Sequence, residues 1–79
     1  MPRHEAIFEI ESATDAAAVH RILEGLYDSV REESRSVRAG SEDSSETIEA
    51  FEALRDAAAE PAPGRLRVSY ERDEEEFGN

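Results

Sequence analysis

Residues 4–19 decide the fold, and they read HEAIFEIESATDAAAV. In the first half, the apolar Ala6, Phe8 and Ile10 alternate with other residues, most of them acidic. This period of two is typical of a half-buried strand. After Ser12 the alternation stops and small apolar residues follow at helical spacing. The stretch therefore predicts a strand that passes directly into a helix.

The helix start carries its own signal. Ser12 is followed three residues later by Asp15, a variant of the capping box in which each side chain hydrogen-bonds a backbone amide of the first turn. Thr14 is the competing N-cap, because threonine is also a favoured residue at that position. We expect one of the two hydroxyl side chains to begin the helix.

The first helix is expected to span residues 13–39. Gly25 inside it costs about 1 kcal/mol relative to alanine, and Gly40 offers a left-handed C-terminal cap. Residues 40–45 are expected to form a loop. One narrow apolar stripe runs along this helix at spacings of three, four and seven, formed by Ala16, Val19, Leu23, Leu26, Val30 and Val37.

A second helix and a second strand complete the chain. Asp43, Ser44 or Ser45 can cap the helix, and the prolines at 61 and 63 end it. Its expected apolar face consists of Thr47, Ile48, Phe51, Leu54, Arg55 and Ala58. After the turn at 63–64, alternation returns: Leu66, Val68 and Tyr70 take one parity, and Arg65, Arg67, Ser69 and Glu71 take the other.

The order strand, helix, helix, strand predicts an α+β fold. An antiparallel helical hairpin brings the chain back to its starting end, so the two strands can pair antiparallel without a crossover. On the outer face Glu5, Glu9 and Glu11 would confront Arg65 and Arg67, a favourable cross-strand match. We expect a single domain over 1–72 and an acidic, solvated tail over 73–79.

Composition restricts the setting of the chain. The 79 residues carry a net charge of −11 and include neither cysteine nor lysine, a balance typical of cytosolic proteins of halophilic archaea that accumulate salt. At about 1 M salt the Debye length is roughly 3 Å, so acidic groups scarcely repel one another. No stretch is apolar enough for a membrane span or signal peptide, and a cytoplasmic location is expected. Intrinsic disorder is the alternative interpretation of so charged a chain.

The apolar content is small for an independent monomer. Only 18 residues are Val, Ile, Leu, Met, Phe or Tyr, and a two-stranded sheet is marginal alone and has both edges unpaired. A homodimer, or a complex with another protein, would complete both core and sheet. The expected interface comprises Val30, Val37, Phe51 and Leu54. A compact monomer held by burial of apolar groups at high salt is the alternative.

Arg31, Arg35 and Arg38 share one face of the first helix, at spacings of four and three. Three guanidinium groups on one face can bind phosphate or a nucleic-acid backbone. The alternative is a helix graded in charge, with acids early and cations late, in keeping with its dipole. Because the net charge repels polyanions, a nucleic-acid accessory role is the second hypothesis.

A polar row of His20, Glu24, Tyr27 and Arg31 flanks the apolar stripe. His20 and Glu24 could act as a base with its orienting carboxylate, or bind a metal ion, but the row also fits an ordinary polar boundary in which Tyr27 exposes its hydroxyl. The sequence predicts no catalytic residue, metal site or cofactor. It favours a non-enzymatic interaction module.

Overall fold

A computed structural model describes residues 2–37 and 42–75, with side chains for 2–34 and 45–75. The elements are β1 (Arg3–Ile10), α1 (Ala13–Val37), α2 (Glu42–Ala58) and β2 (Gly64–Glu71). The predicted α+β order of strand, helix, helix and strand is confirmed. The expected loop over 40–45 is wrong from residue 42 onward, because Glu42 already begins α2. Residues 38–41, with the predicted glycine cap at position 40, lie outside the described residues.

The two strands form an antiparallel sheet in the register that the charges favour. Glu9 lies directly opposite Arg65, with 3.5 Å between Oε1 and Nε. Glu5 reaches Arg67 diagonally, at 3.8 Å. Glu11 lies beyond the end of β1. The charged outer face therefore forms as expected for Glu5 and Glu9, although each exposed pair contributes less than about 1 kcal/mol.

Ser12 is the N-cap of α1. The Asp15 amide donates to Ser12 Oγ at 3.1 Å, and the Ala16 amide donates to the Ser12 carbonyl at 3.0 Å. The Asp15 carboxylate in turn accepts from the Glu11 amide at 2.9 Å. The predicted N-cap at Ser12 is confirmed, but the Asp15 carboxylate binds the amide of Glu11, before the cap, and not that of Ser12 as in a capping box. The competing cap at Thr14 is wrong, because Thr14 is already helical.

The core is small and centred on α1. The buried apolar side chains of the described residues are between 4% and 7% exposed, and they are Ala16, Val19, Leu23 and Tyr27. Leu26 and Val30, expected on the same stripe, are half-buried. Tyr27 was expected at a polar boundary, but the Arg55 guanidinium of α2 stacks on its ring, 4.4 Å from the centroid. The interhelical contact therefore moves Tyr27 into the core.

The fold is open for its length. Its radius of gyration is 14.9 Å, against about 12 Å for a compact domain of this size. Its accessible surface is 6535 Å², whereas a folded monomer of 8.8 kDa is expected to expose about 4,800 Å². The chain therefore exposes more surface than a compact monomer of its mass. Within the described ranges, neither helix is long and apolar enough to cross a membrane.

Candidate protein–protein interface

The helical part of the expected interface is partly open. Phe51 and Val30 are half-buried, and Leu54 is 48% exposed. The stacking of Arg55 on Tyr27 shows which turns of the two antiparallel helices face each other. By this pairing, Val30 of α1 and Phe51 of α2 lie at nearly the same height along the helix pair. Val37 ends α1, but its side chain lies outside the described residues. Of the three expected interface residues whose side chains the structure describes, Leu54 is thus the most exposed.

The expected apolar face of α2 is rotated in the structure. Ile48, Phe51, Arg55 and Ala58 are half-buried, whereas Thr47 and Leu54 are exposed. Helical periodicity defines which residues share a face, but it does not fix how far the helix turns against its neighbour. Leu54 therefore stays partly open to solvent and faces a space shared by α1 and the strand ends.

An apolar cavity of about 270 Å³ lies where the helices meet the strand ends. Val19 and Leu23 of α1, Leu54 of α2, and Ile10 and Leu66 of the sheet contribute apolar walls. Glu60 and Arg65 are the charged residues along its border. Such a space, apolar inside and charged at its edge, suits an inserted apolar side chain. The sequence pattern does not reveal this cavity, because it forms between all four elements.

The helix-facing side of the sheet is also largely uncovered. Val68 is 52% exposed, Tyr70 is 63% exposed and Phe8 is 39% exposed. These residues have the parity of Leu66 and Ile10, whose half-buried side chains line the cavity. The helices therefore cover the sheet at the Ile10–Gly64 end and leave its other end open.

The proposed anion-binding face is described only in part. Arg31 is exposed on α1. Arg35 lies one turn further along the same helix, but its side chain is outside the described residues, as is the whole of Arg38. The structure thus locates one of the three guanidinium groups.

The polar row on α1 comes together as the spacing predicts. His20 Nε2 lies 4.0 Å from Glu24 Oε2, and both side chains are accessible to solvent. Over the described part of the chain, no three side chains of a type that binds metals cluster closely enough to hold an ion. The pair therefore has the geometry of a surface contact between adjacent helical turns.

Sequence reasoning missed the role of Arg55. Besides stacking on Tyr27, its guanidinium donates to Asp56 Oδ1 from Nε and Nη2, at 3.1 and 3.0 Å. The hydrogen bonds to Asp56 raise the pKa of Arg55 above its ordinary value, although partial burial acts in the opposite direction. Arg55 therefore stays charged and joins the two helices.

Comparison with protein-family models, curated proteins and solved structures finds no match to this chain.

Proposed function

We propose that the protein is a non-enzymatic protein–protein interaction module that works as a homodimer, or as a small subunit of a larger complex, in a high-salt cytoplasm. One observation carries the proposal. Within the described residues, four apolar side chains are buried, whereas six large ones are exposed: Ile7, Phe8, Ile22, Leu54, Val68 and Tyr70. Removing so many large apolar groups from water favours association with another chain.

The amount of uncovered surface fits an interface of ordinary size. Standard protein–protein interfaces bury about 800 Å² on each partner, and the exposed apolar side chains of the sheet and of α2 lie on surfaces large enough to contribute to one. Charge supports the same interpretation, since high salt screens the repulsion between two acidic chains and leaves apolar contacts intact.

Sedimentation equilibrium in about 2 M KCl tests the proposal over a range of micromolar concentrations. We expect self-association, and we expect Leu54→Glu to weaken it about tenfold or more because the substitution puts a charge on the apolar surface. Ala53→Glu is the matched control. Ala53 is exposed and precedes Leu54 on α2. Ala53→Glu therefore adds the same charge next to the proposed interface but outside it, and should leave association unchanged.

Two results would contradict the proposal. One is a chain that remains monomeric at every concentration and for which a high-salt lysate yields no stoichiometric partner. The other is a monomer that binds RNA at several salt concentrations and loses that binding on Arg31→Ala, which would favour the nucleic-acid hypothesis. Circular dichroism of each variant confirms that the helices are retained.

A further inference from the structure

Among the residues that the structure describes, β2 pairs with β1 alone, and no strand covers its outer edge. The Arg72 amide donates to the Pro2 carbonyl at 3.1 Å, so residues 2 and 72 form a hydrogen-bonded pair. Hydrogen-bonded and non-hydrogen-bonded pairs alternate along an antiparallel ladder, and the register continues without a bulge from Arg3–Glu71 to Ile10–Gly64. The odd-numbered residues of β2 therefore direct their amides and carbonyls away from β1, toward the outer edge.

We propose that this edge pairs antiparallel with the same edge of a second copy, around a two-fold axis that passes through Val68. The result is a continuous four-stranded sheet in the order β1, β2, β2, β1. The inference rests on the proposed function, and it names the partner and the surface. Leu66 lines the same cavity as Leu54, so a partner strand on β2 approaches the surface that Leu54→Glu would charge. Every residue of β2 except Leu66 is exposed, so the edge is accessible.

Side chains across this axis are complementary. Val68 meets Val68 of the second copy, and Leu66 meets its Tyr70, both in non-hydrogen-bonded pairs, where side chains approach most closely. On the outer face Arg65 lies opposite Glu71 of the second copy. The odd-numbered backbone groups form the new hydrogen bonds. The pairing thus covers exposed apolar groups and brings opposite charges together.

Neighbouring registers are poorer. An axis through Arg67 would place Arg67 opposite itself. An axis through Ser69 would place Leu66 opposite Arg72, beyond the strand end. A register shifted by one residue would pair the helix-facing residues of one copy with the outer-face residues of the other, so that apolar side chains lie opposite charged ones. Val68 is therefore the position that the sequence of β2 favours for the axis.

The β1 edge is a weaker candidate for the same contact. A two-fold pairing around Ile7 would oppose Glu5 to Glu9, which repel each other. One around Ala6 would bring together two alanines, and would place His4 against Phe8, with less apolar area than valine, leucine and tyrosine supply. In a chain of net charge −11, β2 is also the one element with a positive net charge, because it carries two arginines and one glutamate.

Cysteine cross-linking tests the axis directly. Since the chain contains no cysteine, a single introduced cysteine can form a disulfide only between two copies. Symmetry-related Cα atoms at Val68 would lie about 4.5 Å apart, within the range of a disulfide. Those at Leu66 would lie about 13 Å apart. We expect Val68→Cys to cross-link at least tenfold faster than Leu66→Cys or, on β1, Ala6→Cys.

Proline substitution tests the edge. Ser69→Pro removes an amide that faces the outer edge of β2, and Ile7→Pro removes the equivalent amide on β1; neither amide belongs to the β1–β2 ladder. We expect Ser69→Pro to weaken dimerisation at least tenfold and Ile7→Pro to leave it unchanged. Circular dichroism and the thermal midpoint show whether both variants fold equally well.

The outcomes separate this inference from the proposed function. If the wild-type chain dimerises but Val68→Cys cross-links no faster than Ala6→Cys, or Ser69→Pro and Ile7→Pro behave alike, the β2 contact is wrong and the interaction module stands. If the wild-type chain is monomeric and has no partner in sedimentation and lysate experiments, both fail. Selective cross-linking at Val68 together with monomeric Ser69→Pro establishes the contact.

Discussion

Ser12 and Asp15 hold the turn between β1 and α1 through two hydrogen bonds. The Ser12 hydroxyl accepts from the Asp15 amide, and the Asp15 carboxylate accepts from the Glu11 amide. The second bond reaches the residue before the N-cap, which ties the end of the strand to the helix. This one cap therefore fixes both where α1 begins and where the chain leaves β1.

We expect Ser12→Ala to lower the free energy of unfolding by about 1 kcal/mol, because the Asp15 amide loses its acceptor. Denaturant titration in concentrated KCl measures the change. Thr14→Ala is the matched control and should stay within about 0.5 kcal/mol of the wild type, since Thr14 is exposed. A larger loss for Thr14 than for Ser12 would contradict the observed cap.

Gly25 lies in the middle of α1 with open space around it. A Cβ atom built at this position would meet no atom within 4 Å among those of the described chain. We expect Gly25→Ala to raise the free energy of unfolding by about 1 kcal/mol, through lower backbone entropy in the unfolded chain. The same titration measures it. Ala17→Gly, an exposed position on the same helix, should lose a similar amount. Weaker self-association of Gly25→Ala would instead place this glycine in a contact.

At the scale of elements, the sequence predicts the order and pairing correctly and fails where elements turn against one another. The spacing of Ala16, Val19 and Leu23 predicts their burial, because neighbouring turns of one helix present them together. It cannot predict that Arg55, 28 positions from Tyr27, stacks on its ring. The same limit hides the exposure of Leu54 and the cavity beside it, since both depend on the rotation of α2.

The start of α2 shows a different limit. Ser44 and Ser45 are good caps, yet the helix already includes them and begins at Glu42. The acidic residues Glu42 and Asp43 then fall in the first turn, where the helix dipole favours negative charge. When several cap residues occur in succession, local preference alone does not choose among them.

Adjacent residues on α1 distinguish the core from the open surface. Leu23 is 5% exposed, whereas Ile22 beside it is 45% exposed. We expect Leu23→Ala to cost about 2–3 kcal/mol in free energy of unfolding, by leaving a cavity. Ile22→Ala removes a similar apolar volume and should cost less than about 1 kcal/mol in the monomer. Urea titration at low protein concentration measures both, and equal losses would mean that Ile22 is covered.

For the whole molecule, the open shape and the acidic charge both lower stability. Surface charge of one sign repels itself in the folded state, and the small core offers little to offset that repulsion. The acids are also unevenly placed, since α2 carries six of them against the single Arg55. Added salt should therefore stabilise α2 more than it stabilises the sheet, in which acidic and basic side chains are paired.

We expect the thermal midpoint to rise steeply from about 0.1 to about 1 M KCl, where screening is largely complete, and more slowly above it. Replacing Glu46 and Glu49 of α2 by glutamine should raise the midpoint at low salt and flatten this dependence, because both are exposed and like-charged. Glu9→Gln is the control. It removes one partner of the Glu9–Arg65 ion pair, so the midpoint at low salt should stay the same or fall. Thermal melts of the wild type, the variant with both Glu46 and Glu49 replaced, and Glu9→Gln over the salt series test this expectation. A midpoint that does not change with KCl, or one that all the substitutions raise equally, would mean that charge repulsion on α2 does not limit the stability of the fold.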